Sequence, residues 1–278
     1  MNHILIPTDF SGNSWNALEY AVRFYKNDPC NFYILHIGDL RESSVESNSF
    51  ALPIEKISPS IKNKLNLFFE GISLLPGNQK HHFIALQEYG SFIDIMRKTV
   101  QDKKIDLIVM GTKGASGIKA SVVGSNTGDV ITKVPCNVLV IPENAPIKMA
   151  KKIAFPSDYN LFYTHPILEV LSKVMRTSKA RLLVLNVTPD SFSLTKSQKK
   201  NKAYLQDHLA ETFPKLCSYH HIAGKNIKPA ILNFVTDNEV DMVTMVAKNL
   251  NFLQQLLFDT AIEKLSFHMT VPLLVLHE

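Results

Sequence analysis

The stretch with the clearest chemistry runs from Gly111 to Thr127. It reads Gly111-Thr112-Lys113-Gly114-Ala115-Ser116-Gly117, then six residues, then Gly124-Ser125-Asn126-Thr127. Glycines let backbone N–H groups approach an anion without side-chain obstruction. Ser125, Asn126 and Thr127 stand where a helix should begin, and its unpaired N–H groups and dipole favour negative charge there. Ser125 and Thr127 add hydroxyl donors, and Lys113 adds positive charge. Asp9 follows an apolar run, Ile4-Leu5-Ile6-Pro7-Thr8, and is placed to accept hydrogen bonds from ribose hydroxyls. Apolar residues beside it would hold a planar base. Neither G-x-x-x-x-G-K-[ST] nor G-x-G-x-x-G occurs, so composition alone also allows glycines that serve turns only.

Other candidates favour structure over chemistry. His81-His82 and His220-His221 occupy equivalent strand starts, but adjacent residues on a strand point to opposite faces, so no metal site is expected. Cys136 follows Pro135 in an apolar strand and reads as core. Trp15 and Phe24 have the spacing of packing residues on the first helix. Ser11 follows Asp9 without a His/Asp arrangement, and no general acid–base pair assembles, so no catalytic residue is assigned.

These residues are positioned by a unit written twice. Ile6-Pro7-Thr8-Asp9-Phe10-Ser11 reappears as Phe155-Pro156-Ser157-Asp158-Tyr159-Asn160, and Leu35-His36-Ile37 as Leu185-Asn186-Val187. Asp106-Leu107-Ile108-Val109-Met110 reappears as Asp241-Met242-Val243-Thr244-Met245, and Val134-Pro135 as Val271-Pro272. Ordered, nearly constant offsets indicate a duplicated domain. In the first unit strands are expected at Asn2–Pro7, Asn31–Ile37, His81–Gln87, Ile105–Gly111 and Asn137–Ile141. Helices are expected at Asn13–Lys26, Ser58–Leu74, Ser91–Lys103 and Ser125–Lys133, with a long, mobile loop at Gly38–Ile57. The second unit predicts strands at Lys151–Pro156, Ala180–Val187, Cys217–Ala223, Val240–Val246 and Val271–His277. Its helices fall at Tyr163–Met175, Lys196–Phe213, Ile227–Asp237 and Leu256–Ser266. Alternating elements imply an α/β fold: two tandem open parallel sheets, Rossmann-like, with right-handed crossovers. Pro142-Glu143-Asn144-Ala145-Pro146 is the linker, giving domains 1–144 and 145–278. In such sheets ligands bind beyond the carboxyl ends of the strands, which puts Asp9 and Gly111 on one rim.

Composition narrows the class. The chain has 278 residues, 45% hydrophobic and 20% charged, close to globular averages. No apolar run is long enough to span a bilayer, and Met1–Pro7 lacks the basic start and cleavage site of a signal peptide. Three scattered cysteines (Cys30, Cys136, Cys217) fit a reducing compartment, so the cytoplasm is the expected location and no membrane partner is expected. The net charge is +5. Residues 1–145 carry 14 Lys+Arg and 14 Asp+Glu, so the excess lies in the second half, partly in Lys196, Lys199, Lys200 and Lys202. That cluster reads as a solvated face; with no interleaved aromatics and no known motif, no nucleic acid is expected.

The glycine spacing and the opening Ile4-Leu5-Ile6-Pro7-Thr8-Asp9-Phe10-Ser11 resemble the universal stress protein family. Leu35-His36-Ile37 resembles its second strand, and Val134-Pro135-Cys136-Asn137-Val138-Leu139-Val140 its closing strand. Two copies look like the family's tandem members. The resemblance implies adenine and ribose contacts at Pro7, Thr8, Asp9 and Ile37. It implies ribose and phosphate contacts at Met110, Gly111, Lys113, Gly114, Gly124, Ser125, Asn126 and Thr127. It implies ATP as ligand, with magnesium on the phosphates, or alternatively AMP or ADP, in a regulatory stress-response role with slow hydrolysis at most. It also implies that Asn137–Ile141 pairs with Val271–His277 as an internal pseudo-dimer, with a further homodimer open. The second unit departs from the pattern: Val246 aligns with Gly111, Asn249 with Gly114, Asp259 with Gly124 and Thr260 with Ser125, and Leu250, Phe252 and Leu253 add apolar bulk. The second unit is therefore expected not to bind ATP in the usual way. An interaction scaffold with a vestigial loop, or an adenylyl- or phosphoryl-transfer enzyme, are the alternatives.

Overall fold

The computed structural model describes residues 1–38, 59–75, 78–112, 125–189, 193–224, 226–248 and 270–278. The first unit contributes β1 (Asn2–Pro7), α1 (Gly12–Phe24), β2 (Cys30–Gly38), α2 (Pro59–Ser73), β3 (His81–Tyr89), α3 (Phe92–Lys103), β4 (Leu107–Gly111), α4 (Ser125–Lys133) and β5 (Asn137–Ile141). The second contributes β6 (Lys152–Pro156), α5 (His165–Ser178), β7 (Arg181–Thr188), α6 (Lys196–Thr212), β8 (Cys217–Ala223), α7 (Ile227–Asp237), β9 (Met242–Val246) and β10 (Leu273–Leu276). The expected loop after Gly38 and the expected helix at Leu256–Ser266 lie outside the described residues.

All ten strands form one sheet, in the order β3-β2-β1-β4-β5-β10-β9-β6-β7-β8. Every junction is parallel except β5–β10, where Leu273 lies opposite Val140, Leu274 opposite Leu139 and Val275 opposite Val138. This is the internal pairing of the two units that the family resemblance implied, with Leu273–Leu276 as the paired part of the second closing strand. The junction is dry: Val138, Val140, Leu273, Val275 and Leu276 are fully buried, each contributing about 1.5–3 kcal/mol of hydrophobic stabilisation.

Alternation along the strands feeds two cores. Ile4 and Ile6 face α1 and α2, and that layer continues across the seam through Leu139, Ile141, Leu274 and Leu276 to α5 and α6. Leu5 and Ile108 face α3 and α4 on the other side, in a layer continuing to α7. Covering on both faces is what the continuous apolar runs at β4 and β5 demand.

Several boundaries differ from expectation for local reasons. β4 begins at Leu107 rather than Ile105, because α3 ends on a left-handed Lys104 (φ 51°) and Ile105 N–H turns back to the carbonyl of Val100. β9 likewise begins at Met242, after a left-handed Glu239 (φ 52°). α5 starts at His165 rather than Tyr163, with Thr164 at the cap and Pro166 in the first turn, where its missing N–H costs nothing. The repeated aspartates have a structural duty at the far end of the sheet. Asp106 accepts from the N–H of His3 (2.8 Å), and Asp241 from the N–H groups of Lys151 (2.8 Å) and Lys152 (3.0 Å).

Candidate functional site

In each half the strand order reverses beside the first strand. β1 lies between β2 and β4, and β6 between β7 and β9. This is the switch point at which open α/β sheets leave a crevice beyond the strand ends. In the first half Asp9 and Gly111 flank it.

The turn after β1 is built by side chains. Thr8 is buried; its N–H donates to the carbonyl of Leu35 (2.8 Å), and its Oγ1 pairs with Ser14 Oγ (2.9 Å) and accepts from Phe10 N–H (3.0 Å). His36 Nδ1 binds the Thr8 carbonyl at 2.9 Å. Phe10 is thereby held at φ 63°, a conformation that costs a bulky residue of order 1–3 kcal/mol and needs this support. Its ring lies 4.6 Å from that of His36. The sharp turn leaves Asp9 exposed on the rim, one carboxylate oxygen accepting from Ser11 N–H at 3.0 Å. Ser11 caps α1, its hydroxyl accepting from Ser14 N–H.

On the other side of the crevice β4 ends at Gly111. A Cβ there would meet Asn13 O at 3.0 Å and Asn13 Cβ at 3.2 Å, so the first turn of α1 lies directly against this backbone. Thr127 in the first turn of α4 is buried and donates its hydroxyl to the Gly111 carbonyl (2.9 Å). The helix start, the strand end and the Asp9 turn are thus tied together. Asn126 is exposed at the same helix start. Met110 and Pro7 are buried, and Ile37 is half-buried against the α3–α4 core. Lys113, Gly114, Gly124 and the side chain of Ser125 lie outside the described residues. Of the expected contact set, Pro7, Thr8, Asp9, Ile37, Met110 and Gly111 lie at the carboxyl ends of β1, β2 and β4, and Asn126 and Thr127 at the start of α4. Asn13, Ser14 and His36 also hold this end of the sheet, and only the repeated Leu-x-Ile/Val triplet hinted at any of the three.

The second half repeats the scaffold with different side chains around it. Ser157 N–H donates to Leu185 O (2.8 Å), Tyr159 N–H to Ser157 Oγ (3.0 Å), and Asn186 Nδ2 to Ser157 O (2.8 Å), each the counterpart of a first-half bond. Tyr159 takes Phe10's left-handed conformation, φ 58°. Asp158 accepts from Asn160 N–H at 3.0 Å, as Asp9 does from Ser11, and from Asn160 Nδ2 at 2.8 Å. Gln198 and Asn201 of α6 donate to the carbonyls of Asp158 and Tyr159. Tyr159 and Tyr163 are buried, with Tyr163 hydrogen-bonded to Ser157, and burial pushes both phenols upward, Tyr159 to about 12. The void left among Pro156, Asp158, Leu161, Tyr163 and Val246 is about 10 Å³, at or below what one water needs. A larger cavity, about 270 Å³, lies at the opposite end of the first unit's strands, between Asn2, Asp106 and α5, far along the sheet from Asp9.

The histidine pairs hold structure. His81 Nε2 meets the Tyr25 carbonyl (3.1 Å), His221 meets Thr188 Oγ1 (2.8 Å), and His220 meets Ser218 Oγ (2.8 Å). Among the described residues no three His, Cys, Asp or Glu side chains come together in a metal-binding group. Burial pushes the Cys136 thiol up to about 12, as befits core rather than nucleophile. No described helix is long and apolar enough to cross a membrane.

Comparison with known proteins agrees with this duplicated architecture. The model of the universal stress protein family matches twice, over residues 1–142 and 149–277. Universal stress protein YxiE of Bacillus subtilis is 27% identical over 149 residues, which are 50% of this chain and 98% of that protein. Universal stress protein MJ0531 of Methanocaldococcus jannaschii is 30% identical over 148 residues, 50% of this chain and 80% of its own. The crystal structure of a universal stress protein from Archaeoglobus fulgidus has the same fold over 99% of this chain and 95% of its own, with a TM-score of 0.66 at 18% identity. The chain belongs to the universal stress protein family, as a tandem member with two copies of the domain.

Proposed function

We propose that the chain binds an adenine nucleotide, ATP in the first instance, in the crevice of its N-terminal half only, and uses it as a regulatory ligand in a stress response. The observation that carries this reading is the asymmetry between the two switch points. In the first, Asp9 is exposed beside a glycine strand end and a helix start. In the second, Tyr163 and Val246 line a void of only about 10 Å³ beside Asp158.

The crevice suits the ligand group by group. Asp9 is an acceptor for ribose hydroxyls, Ile37 and Met110 offer apolar walls to the base, and the N-terminus of α4 at Ser125–Thr127 offers N–H groups and dipole to phosphate. Lys113, Gly114 and Gly124 complete the phosphate loop in this reading, and magnesium would arrive on the phosphate oxygens. No described residue of the crevice forms a general acid–base pair, which favours a bound switch over rapid turnover. We place the domain boundary within the proline-flanked linker, giving domains 1–144 and 145–278.

The test is to denature the purified protein and analyse the released small molecules by mass spectrometry. Adenine nucleotide in the supernatant is the expected result. Recovery of none, together with no binding of added ATP, would overturn the proposal.

A further inference from the structure

The surface of the second half carries a feature unrelated to the nucleotide crevice. Helix α6 opens with Lys196, Lys199, Lys200 and Lys202, and has no acidic residue before Asp207. Lys196, Lys199 and Lys200 are exposed. Lysines in the first turns of a helix face the positive end of its dipole, so they do not serve its stability; a capping box between Thr195 and Gln198 holds the end instead. Lys196, Lys200 and Tyr204 follow one another at intervals of four and share one stripe of the helix.

No aromatic is interleaved with these lysines along the chain, but the fold supplies a pair beside them. Phe162, from the turn between β6 and α5, stacks on Tyr204 with ring centroids 4.9 Å apart and planes at 28°. Both rings remain open to solvent, Phe162 at 53% and Tyr204 at 40%. The turn that carries Phe162 exists because the second half has lengthened this segment. The helix cap comes two residues after Asp9 in the first half but six after Asp158 in the second.

We propose that the α6 face of the second half, Lys196, Lys199 and Lys200 with the Phe162–Tyr204 stack, binds single-stranded nucleic acid. Cations beside a sequence-tolerant stacking platform are the combination that such strands require: lysines meet phosphates and an exposed ring face meets a base. An anionic membrane is a poorer match. An interfacial helix sinks an apolar face into the lipid, whereas the leucines of α6, Leu205 and Leu209, are buried in the protein core, and Tyr204 is the one large apolar residue that the helix exposes.

The experiment is fluorescence anisotropy of a labelled single-stranded 20-mer of uridine with the full chain, across a series of salt concentrations. Oligouridine contains no adenine and does not report on the crevice at Asp9. The expected result is binding whose log–log salt slope is near −2, about −0.7 for each of three phosphates engaged. Replacing Lys196, Lys199 and Lys200 with Gln should flatten that slope. The double variant Phe162→Ala, Tyr204→Ala should weaken binding about tenfold with the slope retained. Thermal melts of both variants check folding. Absence of binding at 50 mM salt, binding that neither variant changes, or capture by phosphatidylglycerol vesicles with none by the oligonucleotide would each overturn the proposal.

Discussion

Gly111 at the end of β4 lies against the backbone of Asn13 in the first turn of α1, so closely that a methyl group on Gly111 would stand 3.0 Å from the Asn13 carbonyl oxygen. The contact is with backbone, which cannot swing aside as a flexible side chain can. Gly111→Ala should therefore push α1 and β4 apart, costing about 1–3 kcal/mol. It should lower the melting temperature and weaken nucleotide binding together. Differential scanning fluorimetry with and without ATP measures both effects.

The second tie across the crevice is the hydroxyl of Thr127 on the Gly111 carbonyl. Thr127→Val keeps the shape and removes the donor, so about 1 kcal/mol of stability should be lost. The start of α4 should loosen, read as faster amide exchange over residues 126–129 relative to the rest of that helix.

At the opposite end of the sheet, burial alone would raise the Asp241 carboxyl. The Lys148 ammonium at 2.5 Å and the N–H groups of Lys151 and Lys152 prevail and hold it below its ordinary 3.8. A depressed carboxylate stabilises the folded state above its ordinary value, and that contribution is lost as pH falls through the lower folded-state value. Melting temperature should therefore fall as pH drops below about 4. Asp241→Asn should melt lower at pH 7 and show a shallower drop in that acid range. A variant with the unchanged acid profile would assign the loss to other carboxylates.

Burial raises all three cysteine thiols, Cys30 and Cys217 to about 11 and Cys136 to about 12. The native protein at pH 7.5 should thus react slowly with Ellman's reagent, with the partly exposed Cys217 leading, and release three equivalents at once on unfolding. A fast native equivalent that maps to Cys136 would contradict its place in the core.

Much of the fold was legible because the chain states it twice. The pair Ile6–Ser11 and Phe155–Asn160 marks two first strands, and Pro135 and Pro272 mark two closing strands that meet at Leu139 and Leu274. The rim position of Asp9 and Gly111 followed from their places at the carboxyl ends of two parallel strands. What stayed hidden depends on contacts between distant segments. Nothing in the residue types shows that Asn13 presses on Gly111, or that His36 and Asn186 do one job with different side chains. The second half's expected failure to bind ATP in the usual way was read from Asn249, Phe252 and Asp259, which lie outside the described residues; what is seen beside Asp158 is Tyr163 and a longer turn before α5. The Phe162–Tyr204 stack is hidden in the sequence for the same reason, since its rings come from separate segments.

The central claim is one nucleotide per chain, held at Asp9 and not at Asp158. Isothermal titration of nucleotide-stripped protein with ATP tests it most directly, on the wild type and on Asp9→Ala and Asp158→Ala. The account predicts a stoichiometry near one, a loss of about tenfold or more in affinity for Asp9→Ala, and wild-type binding for Asp158→Ala. A stoichiometry of two, or a loss on Asp158→Ala equal to that on Asp9→Ala, would contradict it.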